Sequence, residues 1–179
     1  VQSRRAGERV MVSITHYVEQ RLKLKVNREK SVVDRATKRP FLGFGFRYRG
    51  GEVKVTVAPK SQNRAKQRLR ELTSRRWGVS MERRIFEINR FTVGWTAYYS
   101  YADTPWPFEK LDKWLRRRLR QVRWKEWNRV RTKRRRLIAL GIPAGDAHKW
   151  ACSRKGYWRI SSSPILHRAL PTAYWTIRA

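Results

Sequence analysis

The sequence predicts an α+β fold: a small α/β palm-like piece with a short antiparallel sheet, followed by an all-α helical part, the two meeting near residue 60. Two observations carry this. Residues 22–59 contain three short runs with strand character, two of them joined by Gly50-Gly51. After Pro59 the apolar spacing becomes helical, with no further strand signal of similar strength. Both parts are strongly basic, 15 of the 44 Lys and Arg lying in 1–60 and the rest in 61–179.

In chain order, Ser3 can cap a helix running to about Leu22, with Val10, Ile14, Val18 and Leu22 four apart along one face. Strands are expected at "LKLKVN", "FLGFGFRY" and "EVKVTVAP", the last two closed into a hairpin. Val53, Val55 and Val57 alternate with Lys54 and Thr56, which marks a sheet with one covered face. Beyond Pro59, Ser61 can cap "SQNRAKQRLRELTSRR", which carries Arg64 and Arg68. Ser80 can cap "SMERRIFEINRFTVGWTAYYSYA", with Gly78 and the loop 104–107 as stops. A third helix opens near Pro107 and sets Phe108, Leu111, Leu115, Leu119 and Val122 at core spacing. Arg116, Arg117, Arg120 and Arg123 fall off that stripe. So many like charges on one face repel unless an anion neutralises them, so this face is expected to look outward and meet phosphate. "RTKRRRLIALG" adds Arg131, Lys133, Arg134, Arg135 and Arg136 before Gly141 ends the helix. The closing "KGYWRISSSPILHRAL" offers Lys155, Tyr157 and Arg159, a mixture suited to nucleotide backbones or to a packed terminus.

Composition points to a polyanionic partner. Lys and Arg total 44 against 13 acids, a net charge of +31, alongside nine Trp, seven Tyr and six Phe. Cations displace counterions from phosphates and aromatic rings stack on exposed bases, so this is the footprint of a nucleic-acid-binding protein, RNA included. A membrane is the rival polyanion. The longest uncharged run, Phe91 to Ala102, is 12 residues, against the roughly 20 that span a bilayer. No signal-peptide pattern opens the chain, and the single cysteine suits a reducing compartment, so a cytoplasmic location is expected. The opening residue, Val1, suggests a piece of a longer protein.

Catalytic chemistry is thinly represented. "YADT" (Tyr101 to Thr104) stops one residue short of the Tyr-Ala-Asp-Asp signature of reverse transcriptases, whose paired carboxylates hold two metal ions. The 13 acids include no adjacent pair and no Asp-x-Asp. Glu109 and Asp112 lie in what looks like a first helical turn, where carboxylates favour the helix dipole. His148 and Cys152 share i, i+4 spacing, yet two ligands fall short of the roughly four a zinc site needs. No catalytic or metal-ligating residue is therefore assigned.

A specific resemblance rests on "RLKLKVNREKS", "FLGFGF", "APKSQNRAKQRLRELTSRR", "EINRFTVGWTAYYSYADTPWPFEKLDKWLRRRLRQVRWKEW" and "GYWRISSSP". Together these resemble the C-terminal half of a bacterial group II intron-encoded reverse transcriptase and maturase, over nearly the whole chain. The resemblance implies that 1–60 is the end of the palm and 61–179 the thumb or maturase region, which binds intron RNA and the template-primer duplex. It implies that the fingers and catalytic palm lie upstream, in the same protein or a separate chain. It also implies that Lys30 lies near the incoming nucleotide and that Phe41, Leu42, Gly43 and Phe44 form the primer-gripping turn. Mg²⁺ is expected for the parent polymerase and no cofactor for this chain. With one cysteine, the chain resembles members without an endonuclease. A structural RNA-binding protein of ribosomal type would explain the same charge and aromatics with no enzyme. Lacking the carboxylate pair, the purified chain with Mg²⁺ is expected to extend no primer on an RNA template; measurable extension would overturn this.

Overall fold

A computed structural model describes residues 3–176. Val1 and Ala179, the outer ends of the two expected parts, lie outside the described residues. Helix α1 (Arg4–Gln20) leads through a 3-10 turn (Ala36–Lys38) to strands β1 (Phe44–Arg49) and β2 (Glu52–Val57). Then come the long helices α2 (Pro59–Leu72), α3 (Met81–Tyr98) and α4 (Trp106–Glu126). The shorter α5 (Val130–Ala139), α6 (Ala144–Ala151), α7 (Tyr157–Ile160), α8 (Pro164–Ala169) and α9 (Thr172–Thr176) follow. The α+β class holds. No described helix is long and apolar enough to cross a membrane.

Ser3 caps α1 as expected, its hydroxyl accepting from the Ala6 amide at 3.2 Å. The face it starts is not core, because Val10, Ile14 and Leu22 stay exposed. The expected strand at 22–27 does not form. The Leu24 amide instead bonds back to the Val18 carbonyl at 3.1 Å, and β1 and β2 pair with each other, so the segment has no ladder to join.

The hairpin forms with Arg49 opposite Glu52 and Phe44 opposite Val57. Gly50 and Gly51 both take positive φ, 61° and 84°, which two-residue turns of this hand require. A second tight turn precedes it. Phe41 and Phe44 exchange backbone bonds of 2.9 and 2.8 Å, so β1 begins at Phe44 rather than Phe41. Leu42 and Gly43 between them are left-handed, with φ 48° and 85°. A side chain at Gly43 would also collide with the Tyr99 hydroxyl. The expected alternation is replaced by a gradient along β2, from Val53 at 56% exposed to Val57 at 0%. Thr56, expected on the open face, is buried too. The hairpin is covered at one end, where it enters the helical body, not on one face.

Two elements make that end. Helix α2 starts two residues before Ser61, with Pro59 in its first turn, where a missing N–H costs nothing. Ser61 therefore does not cap; its hydroxyl donates to the Gly43 carbonyl at 3.1 Å. Helix α3 starts where expected, the Ser80 hydroxyl accepting from the Arg83 amide at 3.2 Å. It stops at Tyr98, short of Ala102, because residues 99–104 turn onto the edge of β2. There Asp103 acts as a strand substitute, its carboxylate accepting from the Val55 amide at 2.8 Å while its own amide donates to the Val55 carbonyl at 2.9 Å. Thr104 adds a hydroxyl bond to Thr56 at 2.9 Å.

The core lies among the helices. Ala65, Leu69 and Leu72 of α2, Met81, Ile85 and Ile88 of α3, and Leu111, Leu119 and Val122 of α4 meet at i, i+4, i+7-type spacings. Leu137, Ile160, Leu166 and Leu170 extend this cluster through the C-terminal helices. Leu115 and Phe108, expected in the core, are only half-buried. They line an open cavity of about 560 Å³ between α3, α4 and α9.

Asp103 is therefore a structural residue. Asp103→Asn keeps an acceptor for the Val55 amide and is expected to leave the melting temperature nearly unchanged. Asp103→Ala should cost about 0.5–1.5 kcal/mol, seen as a lower denaturation midpoint. Equal stability of all three proteins would show that the bond carries no load.

Candidate nucleic-acid interface

The structure divides the cations into an inward and an outward set. Inward cations converge first on the C-terminus of α2, whose last carbonyls have no partner within the helix. Arg84 of α3 is 1% exposed, and its guanidinium donates to the carbonyls of Leu72, Ser74 (3.1 Å) and Trp77 (2.8 Å) while lying over the Trp77 ring. Arg118 of α4 donates to the Thr73 hydroxyl at 2.9 Å and to the Arg70 and Thr73 carbonyls at 3.2 Å each. Lys125 reaches the Arg75 carbonyl at 2.8 Å. Burial pushes the pKa of both Arg84 and Arg118 down, yet a guanidinium keeps its proton in proteins. Helix α2 ends at Leu72 with Thr73 as its C-cap, short of Gly78.

The arginines expected on the outer face of α4 also belong largely to the inward set. Arg120 is 6% exposed, donating from Nε to the Ser161 carbonyl at 3.0 Å and lying 3.2 Å from His167 Nε2. Arg117 donates to the Trp158 carbonyl at 3.0 Å. Arg116 pairs with Asp112 at 2.5 Å and Arg123 with Glu126 at 2.8 Å. The reason is that α4 has two covered faces. Its apolar stripe meets α2 and α3, and its arginine stripe receives α7 and α8, the methylene stems packing while the guanidiniums satisfy exposed carbonyls. The density of arginine in α4 resembled a phosphate face in the sequence; the short segments that cover it, around Ser161 and His167, carried no signal of where they would dock.

Helix α5 presents its charges differently. Leu137 faces inward, and Gly141, with φ 81°, closes the helix while the Ile142 amide bonds the Leu137 carbonyl at 3.1 Å. Lys133 also turns inward, 4.9 Å over the Trp124 ring, and burial lowers its pKa. Arg136 is exposed and lines a small polar recess with Glu82, Arg123, Glu126 and Thr132. Arg131, Arg134 and Arg135 occupy positions i, i+3 and i+4 on one side of the helix and are all exposed. The helix contains no acidic residue.

Elsewhere, Arg64 and Arg68 lie exposed on α2, Arg68 paired with Glu71 at 2.9 Å. Lys30 is exposed on a turn whose amide bonds Asn27. Phe41 and Leu42 project from their turn, both exposed. Its backbone is held by the Tyr98 hydroxyl, which donates to the Leu42 carbonyl at 2.9 Å. Around α7, Lys155 lies 4.9 Å over Trp150, Arg75 lies 4.8 Å over Tyr157, and Arg159 is exposed. Sequence reasoning missed Arg84, Arg118 and Lys125 as carbonyl ligands; clustered acceptors at a helix end have no sequence signature.

His148 Nε2 and Cys152 Sγ are 4.0 Å apart. Among the described residues no group of three or more His, Cys, Asp or Glu side chains is placed to hold a metal ion.

Fold and charge thus define a strongly basic α+β protein whose helical body is braced by its own arginines. Residues 62–139, from the first turn of α2 to the end of α5, match the group II intron, maturase-specific domain, which supports a maturase region with a role in group II intron splicing. No curated protein matches the chain.

The contact between Arg120 and His167 sets a pH dependence. A guanidinium only donates, so Nε2 must accept and the imidazole must be neutral. Burial, helped by the charges of Arg120 and Arg117, holds the His167 pKa below its ordinary 6.5. As pH falls below 6.5 the unfolded chain takes this proton first, so the stability His167 contributes is present above that pH and declines below it. His167→Gln keeps an acceptor but does not titrate. Its melting temperature should fall less than the parent's between about pH 7.5 and about pH 5; parallel falls would rule the contact out as the cause.

Proposed function

We propose that this chain binds structured group II intron RNA during splicing, with Arg131, Arg134 and Arg135 of α5 forming the centre of the phosphate-contacting surface. The observation that carries this is the set of three exposed arginines on one helical face, in an acid-free helix inside the stretch that matches the maturase-specific domain. Side chains at i, i+3 and i+4 stand about 5–6 Å apart, close to the spacing of successive phosphates along a strand. Arg64 on α2 and Lys155 and Arg159 beside α7 add exposed charge to the same body. The arginines of α4 act from beneath, holding that body together rather than meeting the RNA.

The N-terminal part serves the template-primer duplex in this reading. Phe41 and Leu42, exposed on a turn with a locked backbone, and the exposed Lys30 support that assignment. Upstream fingers and palm, in the same protein or another chain, would cover the open faces of α1 and the hairpin, where Val10, Ile14 and Tyr48 are exposed.

Replacing Arg131, Arg134 and Arg135 together by Gln removes three charges at little cost in helix propensity. The triple variant should melt like the parent. Its affinity for a structured intron RNA should fall, and the slope of log affinity against log salt should flatten by about 0.7–0.9 per lost contact, roughly 2 to 3 units in all. An unchanged slope with unchanged affinity would place the RNA elsewhere.

A further inference from the structure

We propose that Trp158 is a stacking platform for a single unpaired nucleobase, so that the RNA bound by this protein carries a bulged or flipped-out nucleotide at the α7 corner. The inference rests on the RNA-binding reading and specifies what that RNA must contain.

Trp158 is gripped twice by one residue. The Arg117 guanidinium lies 3.9 Å from the centre of its ring and also donates to its carbonyl at 3.0 Å. Ring and backbone are thereby held together on α4, yet Trp158 remains 39% exposed. Trp124, Trp127 and Trp175, by contrast, are buried in the core. A large rigid aromatic left in water with its rotamer already fixed has its ordering entropy lost in advance, which favours a planar ligand. The cation held on the ring strengthens that preference for an electron-rich partner such as a base.

The surroundings specify a nucleotide rather than an apolar ligand. From Ala147 to Ala179 the sequence contains no Asp or Glu. Arg154, Lys155 and Arg159, within four residues of Trp158, are exposed and supply positive charge for the phosphates of a bound nucleotide. The neighbouring aromatics Tyr157 and Trp150 also carry cations, Arg75 and Lys155, but they pack half-buried against the core, so Trp158 is the ring in this group that is both fixed and exposed. A base inside a duplex shows only its edges; a face becomes available when the nucleotide leaves the stack.

The test uses the full 179-residue chain and two RNA hairpins, identical except that one carries a single bulged 2-aminopurine. The parent protein should bind the bulged hairpin more tightly, by about 5- to 150-fold if stacking has its usual strength, and should quench the 2-aminopurine on binding. Trp158→Ala should lose both the preference and the quenching, with the paired hairpin bound as before and the salt slope unchanged; Trp158→Phe should recover part of each. Quenching in the parent protein reads the stack without any variant. No preference and no quenching in the parent, or an equal loss on both hairpins in Trp158→Ala, would overturn the proposal while leaving RNA binding intact. Failure to bind either hairpin would overturn the RNA-binding reading and this inference with it.

Discussion

Bonds between basic side chains and the carbonyls at the C-terminus of α2 are the constraint on which the helical body depends. The last turn of a helix exposes several acceptors and a partial negative charge of about half an electron. Here Arg84 from α3, Arg118 from α4 and Lys125 from the end of α4 all meet that turn and the loop after it. One helix end thereby fixes the position of both its neighbours. Charge-assisted bonds contribute about 1.5–3 kcal/mol each, and a buried guanidinium is tolerated only because such bonds replace its water.

The same chemistry repeats at the other side of α4. Arg117 and Arg120 bond the carbonyls of Trp158 and Ser161 and so hold α7 and α8. These short helices, too short to be stable alone, gain their position from α4. The stretch matching the maturase-specific domain ends at residue 139, so its arginines organise chain beyond their own boundary. A net charge of +31 thus exaggerates what is free for a partner. Part of it serves as internal bracing, and the exposed remainder is spread over residues 4–60, α2, α5 and the surroundings of α7.

The hairpin meets this body chiefly at one corner. Gly43, Ser61, Tyr98, Tyr99 and Asp103 meet there, with Phe44 packed against both tyrosine rings at centroid distances of 5.7 and 5.1 Å. That corner fixes the backbone of the Phe41–Phe44 turn relative to α3, so any load on the turn passes directly to the helical body. The other surfaces of α1 and the hairpin remain open.

Local rules decided much of this protein. Ser3 and Ser80 as caps, Gly50-Gly51 as a hairpin turn, Gly141 as a helix stop and the spacing of Leu111, Leu119 and Val122 were all readable, because each depends on backbone geometry or on periodicity within a few residues. The basic, aromatic composition likewise follows from counting. What only the tertiary structure decided is which polar groups meet. Whether Arg120 faces solvent or the Ser161 carbonyl, whether Lys133 looks outward like Arg134 or over Trp124, and whether Asp103 is a metal ligand or a substitute strand depends on segments up to 48 residues apart. A guanidinium or a carboxylate is equally at home in water and in a fully bonded interior. Its residue type therefore says what it can bond, and only the packing of distant elements determines what it does.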